Sequence, residues 1–175
     1  MEPPSLSLTE WVVLALVAEG TTHGFAIARL TDASGPLGEI WQIPRPVVYR
    51  ALDRLCELGL LRPAGTEPGS GGPRRVLLAI TPAGLDLVTA WRLHPVAHVR
   101  DIRTELLVKL ALLDRAGLDP KPLLEAQRER LLPILAALRR RRDQASGFDR
   151  TLAAWRLQTA QASMSFLEAV EAPAE

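Results

Sequence analysis

Polar and apolar positions alternate with helical spacing from the start of the chain. In LSLTEW, Ser7 and Glu10 stand three residues apart, ahead of an apolar row at Val12, Val13, Leu16 and Val17. This is a capping-box pattern, with Leu6 and Trp11 placed as a hydrophobic staple around it. It predicts a first helix that stops at Gly20. After a threonine-rich turn, HGFAIARLTDA predicts a second helix ending at Ser34-Gly35-Pro36. GPLGEIWQIP reads as a loop or irregular turn. Pro44 or Pro46 fits the first turn of a third helix, where a missing N–H costs nothing. That helix, PRPVVYRALDRLCELGLL, carries Val48, Ala51, Leu52, Leu55 and Leu58 on one face and ends at Gly59.

The period then changes. LLRPA and RRVLLAI read as two short strands, and GTEPGSGGP between them as a mobile connector outside any core. Thr81-Pro82 is a cap followed by a first-turn proline, opening TPAGLDLVTAWR. Beyond His94-Pro95 no strand pattern returns. VRDIRTELLVKLALLDRAG predicts one helix with Val99, Ile102, Leu106, Leu110 and Leu113 on its apolar face, ending at Gly117. Asp119-Pro120 starts a long helix reaching toward Ser146-Gly147. Asp149 starts the last one, along which Leu152, Trp155, Thr159, Ala162, Phe166 and Val170 recur three and four apart, nearly a coiled-coil seam. The pattern therefore predicts a mainly α fold in two domains. Residues 5–93 form three helices, a two-stranded hairpin and a helix. Residues 94–172 form a helical domain that dimerises through Leu152, Trp155, Ala162, Phe166 and Val170.

Three helices followed by a hairpin is the layout of a winged helix-turn-helix, whose third helix enters the DNA major groove with its N-terminal residues at the bases. The polar face of the third helix fits that use. Arg45, Tyr49, Arg50, Asp53 and Arg54 crowd into its first half. Arg45, Tyr49 and Arg50 would face a groove about 12 Å wide, and Arg54 at the rim suits phosphate. Asp53 and Glu57 argue instead for an ordinary solvated face, because carboxylates repel phosphate. In the hairpin, GSGGPRR places Arg74 and Arg75 where a wing tip would neutralise phosphates. From Trp41 to Leu78 there are six arginines against three acidic residues, a local excess of positive charge in a chain of net charge +1.

Composition narrows the alternatives. With 47% hydrophobic and 23% charged residues among 175, the chain is an ordinary globular one. Cys56 is the single cysteine, which fits a reducing compartment and excludes an internal disulfide framework. MEPPSLSLTE is not a signal peptide, and the longest apolar run, WVVLALVA, is too short to span a bilayer. A soluble, cytoplasmic protein without membrane contact is expected. His94 and His98 stand four apart, but a residue before proline avoids helical geometry, so no metal site is expected there. Cys56 reads as packed and inert, and His23 as a hydrogen-bonding residue at a helix start. The run of arginines at 139–142 points all round a helix and forms no single patch. Trp91, Trp155 and Phe166 could line an apolar pocket, although helical aromatics usually serve as core. Three scattered histidines, one cysteine and no Gly-rich phosphate loop define no catalytic set. The expectation is a non-enzyme without cofactor.

In order and spacing, LSLTEWVVLALVAEGTTHGFAIARL, VVYRALDRLCELGLL and GGPRRVLLAITPAGLDLV resemble the PadR family of bacterial transcriptional regulators across most of residues 5–90. The helical remainder resembles the longer C-terminal domain of that family's AphA-like branch. The resemblance implies a homodimer bound to a pseudo-palindromic double-stranded DNA operator, usually as a repressor released by a small molecule or other signal. Carried over to matching positions, Tyr49 and Arg50 become recognition-helix contacts and Arg74 and Arg75 wing contacts. The chain departs from the family where Ile43-Pro44-Arg45-Pro46 replaces a Ser or Thr cap, and where VLLAI lacks the aromatics often found in the second wing strand. A winged-helix adaptor that binds protein and no DNA is the alternative.

Overall fold

The structure is a computed structural model that describes residues 4–69 and 72–171. Helix α1 (Leu8–Ala18) begins as its sequence demands. The Ser7 hydroxyl accepts from the Glu10 N–H at 3.3 Å, and the Glu10 carboxylate accepts from the Ser7 N–H at 2.7 Å. Six consecutive residues, Val12 to Val17, are buried. A helix that is apolar all round has to be enclosed, and α1 packs against α3 (Arg45–Glu57), β2 (Gly72–Ile80) and α5 (Leu107–Arg115). Helix α3 turns Val48, Ala51, Leu52 and Leu55 into this core; Leu58, expected on the same row, lies just past the helix end and is half-buried. Pro46 occupies the first turn, and Pro44 is the residue before the helix.

The hairpin is longer than its composition suggests. β1 (Leu61–Gly69) pairs antiparallel with β2, and the ladder runs on through Gly65↔Leu77, Thr66↔Val76 and Glu67↔Arg75 to Gly69↔Gly72. Most of the expected connector is therefore strand; its tip, Ser70-Gly71, lies outside the described residues. Pro63, Gly65 and Gly69 border two shifts of register, which absorb extra residues as bulges do. Gly65 has φ 123°, a conformation that strains any other side chain. Thr22 and Leu78 exchange backbone bonds of 3.0 and 2.7 Å, tying β2 to the segment ahead of α2 (Gly24–Leu30). α4 (Pro82–Leu93) starts at Thr81, whose hydroxyl accepts from the Gly84 N–H at 3.2 Å and donates to the Gly59 carbonyl at 2.8 Å.

The described chain divides into two compact units. The described residues up to Arg92 together with Leu107–Leu118 form one compact unit; Leu93–Leu106 and the described residues from Asp119 onward form the other. The single helix expected from Val99 to Gly117 is instead a 3₁₀ turn over Val99–Asp101, a π-type stretch over Ile102–Leu106, and α5. A π turn holds an extra residue and rotates whatever follows it. Burial accordingly passes from Ile102 and Leu106 to Val108 and Leu112, and Leu110 is only half-buried. Within the first unit Val108 and Leu112 join the core around α1. Lys109, 1% exposed, sets its ammonium 4.8 Å over the Trp91 ring, which stacks on Trp11.

Two arginines from distant elements close the C-terminal end of α1, whose own last turn has no basic residue. Arg92 donates to the Ala15 carbonyl at 3.0 Å, and Arg115 holds Glu19 through two bonds of 3.1 and 2.7 Å. Positive charge is favourable at that end of a helix dipole and Glu19 is not, so Arg115 offsets a misplaced carboxylate. Burial lowers the Arg92 pKa below the usual guanidinium value, and Glu19 opposes that shift.

In the second unit α6 (Lys121–Gln144) packs along α7 (Gly147–Glu171). α7 thus starts two residues before Asp149. Leu131 and Leu135 of α6 are buried, as are Ala153, Leu157, Ala160 and Leu167 of α7. Gln127, also buried, accepts from the Val96 N–H at 2.7 Å and donates to the Val96 carbonyl at 3.3 Å, anchoring the non-helical segment after α4. Arg128 and Glu171 form an ion pair. No helix among the described residues is long and apolar enough to cross a membrane.

Leu112 belongs to the first core although it lies about 20 residues beyond the expected boundary. Leu112→Ala is expected to cost about 2–5 kcal/mol of unfolding free energy by chemical denaturation. A loss under about 0.5 kcal/mol, the range of a surface change, would place α5 outside that core.

Candidate nucleic-acid interface

Burial of Val48, Ala51, Leu52 and Leu55 fixes the rotation of α3 and leaves Arg45, Tyr49, Arg50 and Arg54 on its exposed side. The residue types supply the rest. Arg45 opens the helix with its guanidinium 5.2 Å from the Phe25 ring centre and 5.7 Å from that of Tyr49. Such cation–π contacts hold a long side chain extended while its edge stays free to donate. Tyr49, 40% exposed, lies against Gly24, where a Cβ would fall 2.8 Å from Tyr49 Cε1. Only glycine lets the ring approach α2 so closely. Arg54 sits 3.9 Å from Glu57, an exposed pair of the kind that contributes little.

The two hairpin arginines divide. Arg74 is exposed, and its Nε and Nη2 donate to the Thr66 hydroxyl at 3.1 and 2.8 Å. Arg75 is half-buried. Its Nη1 lies 3.9 Å from Glu67 Oε1, and its guanidinium sits 4.8 Å from the centre of the Phe25 ring. Arg45, Tyr49, Arg74 and Arg75 share one cavity of about 560 Å³ between α2, α3 and the hairpin, which Phe25, Asp53 and Cys56 also line. Arg50 and Arg54 lie outside its lining. Phe25 and Glu67 went unremarked in the sequence, though Phe25 sits in the HGF stretch and Glu67 opposes Arg75 once the longer ladder is known.

The arrangement can present cationic edges and a phenol to an anionic, groove-bearing partner. Positive charge is not spread evenly over it, since Glu67 partly neutralises Arg75 and Asp53 faces the same cavity. Among the described residues, no cluster of three or more metal-ligating side chains exists.

The residues expected to dimerise lie on α7, outside the buried set Ala153, Leu157, Ala160 and Leu167. Leu152 and Phe166 are half-buried, whereas Trp155, Ala162 and Val170 are exposed, Trp155 at 70%. Thr159, the polar member of that row, donates its hydroxyl to the Trp155 carbonyl at 3.0 Å.

No family model matches the chain, and neither does any curated protein. Among solved structures it is similar to Bacillus subtilis PadR in complex with operator DNA, at 17% identity and TM-score 0.49 over 94% of this chain and 97% of that one. A PadR family transcription regulator from Clostridium difficile R20291 aligns at 16% identity and TM-score 0.41 over 62% of this chain and 97% of that one. The Streptococcus mutans UA159 protein smu.1704 aligns at 24% identity and TM-score 0.39 over 51% and 78%. At these values the winged-helix assignment rests on the chain's own elements: three helices, a two-stranded antiparallel hairpin and a helical second unit.

Cys56 lines the cavity with a thiol whose pKa is raised, first by burial and then by the Asp53 carboxylate. Its alkylation by iodoacetamide at pH 8 is expected to be slower than that of a free cysteine, because the thiolate is the nucleophile. Asp53→Asn should speed it by lowering the thiol pKa, and burial should keep it below the free rate. Alkylation at the free-cysteine rate in the unsubstituted protein would contradict this environment.

Proposed function

We propose that the chain is a sequence-specific DNA-binding regulator of the PadR type. It acts as a homodimer in the cytoplasm, its helical second half corresponding to the AphA-like branch. The observation that carries this reading is the pairing of an α3 front half, exposed and rich in Arg45, Tyr49 and Arg50, with a long hairpin that brings Arg74 beside it. Arg45, Tyr49 and Arg50 read base edges, where planar and bidentate heads discriminate best. Arg54 and Arg74 meet phosphates, and Arg75 flanks them. Repression of a promoter, relieved by a small molecule, is part of the same reading; no residue here is assigned to that effector.

Selection of bound fragments from genomic DNA by the purified protein tests it. A pseudo-palindromic site should be enriched. On that site Tyr49→Ala and Arg50→Ala should each weaken binding by about 1–3 kcal/mol, with much less effect on unrelated duplex. No enrichment at any salt concentration would favour a protein-binding adaptor, which the carboxylates Asp53 and Glu57 on α3 would suit.

Dimerisation through the outer row of α7 is the second part of the proposal. Two of that row, Trp155 and Thr159, line a groove of about 1080 Å³ together with Pro133, Ile134 and Leu138 of α6. A tryptophan 70% exposed at the edge of such a groove suits an interaction surface, and the hydroxyl of Thr159 is already satisfied within its helix. A second arm binding from an already attached dimer raises affinity by about 10²–10⁴. It also sets half-sites about 34 Å apart. Trp155→Asp should convert a micromolar dimer into a monomer by sedimentation velocity with unchanged helix content. A variant that sediments as a dimer would move the interface elsewhere.

A further inference from the structure

We infer that His23 is a positioning residue for the wing, fixing the outer half of the hairpin against α2 through Glu67 and Arg75. The side chain, 14% exposed, works from both ring nitrogens. Nδ1 accepts from the Ala26 N–H at 3.0 Å and so caps α2. Nε2 lies 2.9 Å from Glu67 Oε1 on β1. A nitrogen that accepts carries no proton, so the neutral ring holds its hydrogen on Nε2 and donates it to Glu67; Arg75 Nη1, also a donor, stands 3.4 Å from Nε2 and faces the same carboxylate. Glu67 stands opposite Arg75 in the ladder, and Arg75 Nη1 approaches the same carboxylate oxygen while its guanidinium lies over Phe25. Two residues at the start of α2, His23 and Phe25, thus grip two facing residues of the hairpin.

A two-stranded hairpin is at best marginal by itself. The Thr22↔Leu78 exchange steadies only its base. Farther out, the described contacts to α2 are those of Glu67 and Arg75. Arg75 is thereby engaged with Glu67 and Phe25, which leaves the exposed Arg74, held by Thr66 on the same cavity, as the wing's phosphate contact. The consequence for phosphate contact rests on the DNA-binding reading, but the latch itself does not.

Amide hydrogen exchange of the full-length protein, without DNA, tests the latch. His23→Asn keeps a good capping residue but is too short to reach Glu67. Exchange at Thr66, Glu67, Arg75 and Val76 should rise about tenfold, the size of one charge-assisted hydrogen bond, with Ile27 and Ala28 in α2 unchanged. Glu67→Ala, which also removes the contact with Arg75 Nη1, should accelerate exchange at least as much, and the double variant no more than Glu67→Ala alone, because the His23–Glu67 bond is lost in each. Unchanged wing exchange in His23→Asn, equal acceleration in α2, or additive effects in the double variant would each overturn the proposal. A latch that passes this test alongside a failed genomic selection would sink the DNA-binding reading alone.

Discussion

Helix α1 is apolar on every side, and the rest of the first unit is arranged to enclose it. α3 covers it with Val48, Ala51, Leu52 and Leu55, and β2 and α5 also pack on it. Its C-terminal carbonyls, which an isolated helix would leave to water, receive Arg92 from α4, and Glu19 beyond them receives Arg115 from α5. Enclosure explains why the chain comes back to the first unit at Leu107 after Leu93–Leu106 has joined the second. A winged helix ending at Arg92 would leave α1 without Val108 and Leu112.

The candidate interface inherits its geometry from that core. Once α3 is locked by its buried row, its front half can only point Arg45, Tyr49 and Arg50 away from α1. The hairpin is placed by its base, through Thr22 and Leu78, and by Glu67 and Arg75 against the start of α2. Opposing effects meet at Arg75. Its charge favours phosphate, but the nearby Glu67 carboxylate and the Phe25 face favour the inward position, which is the one observed. The basic surface is smaller than the arginine count suggests, and more ordered.

Much of this was legible where local chemistry decides structure. The capping box of Ser7 and Glu10, the cap at Thr81 and the buried row of α3 follow from side-chain reach and helical period, and all appear. The hairpin was legible in kind but not in length. Gly65, Pro68 and Gly69 carry turn chemistry, yet here the glycines border shifts in a continuing ladder, a use that depends on the partner strand. The break after Val99 was hidden for a similar reason. Each half of VRDIRTELLVKLALLDRAG has a sound apolar period, and only tertiary competition between two cores shows that the halves need different faces. His23 before Gly24 signals a helix start, and it caps α2. Its second bond, to Glu67, spans 44 residues of sequence and had no local signal.

Backbone chemical-shift mapping on addition of a genome-selected duplex tests the central claim most directly. The account predicts the largest perturbations in the first half of α3, from Arg45 to Arg54, and along the hairpin around Arg74, with the buried residues of α1 little changed. Perturbations confined to α6 and α7, or none at stoichiometric duplex and low salt, would contradict it.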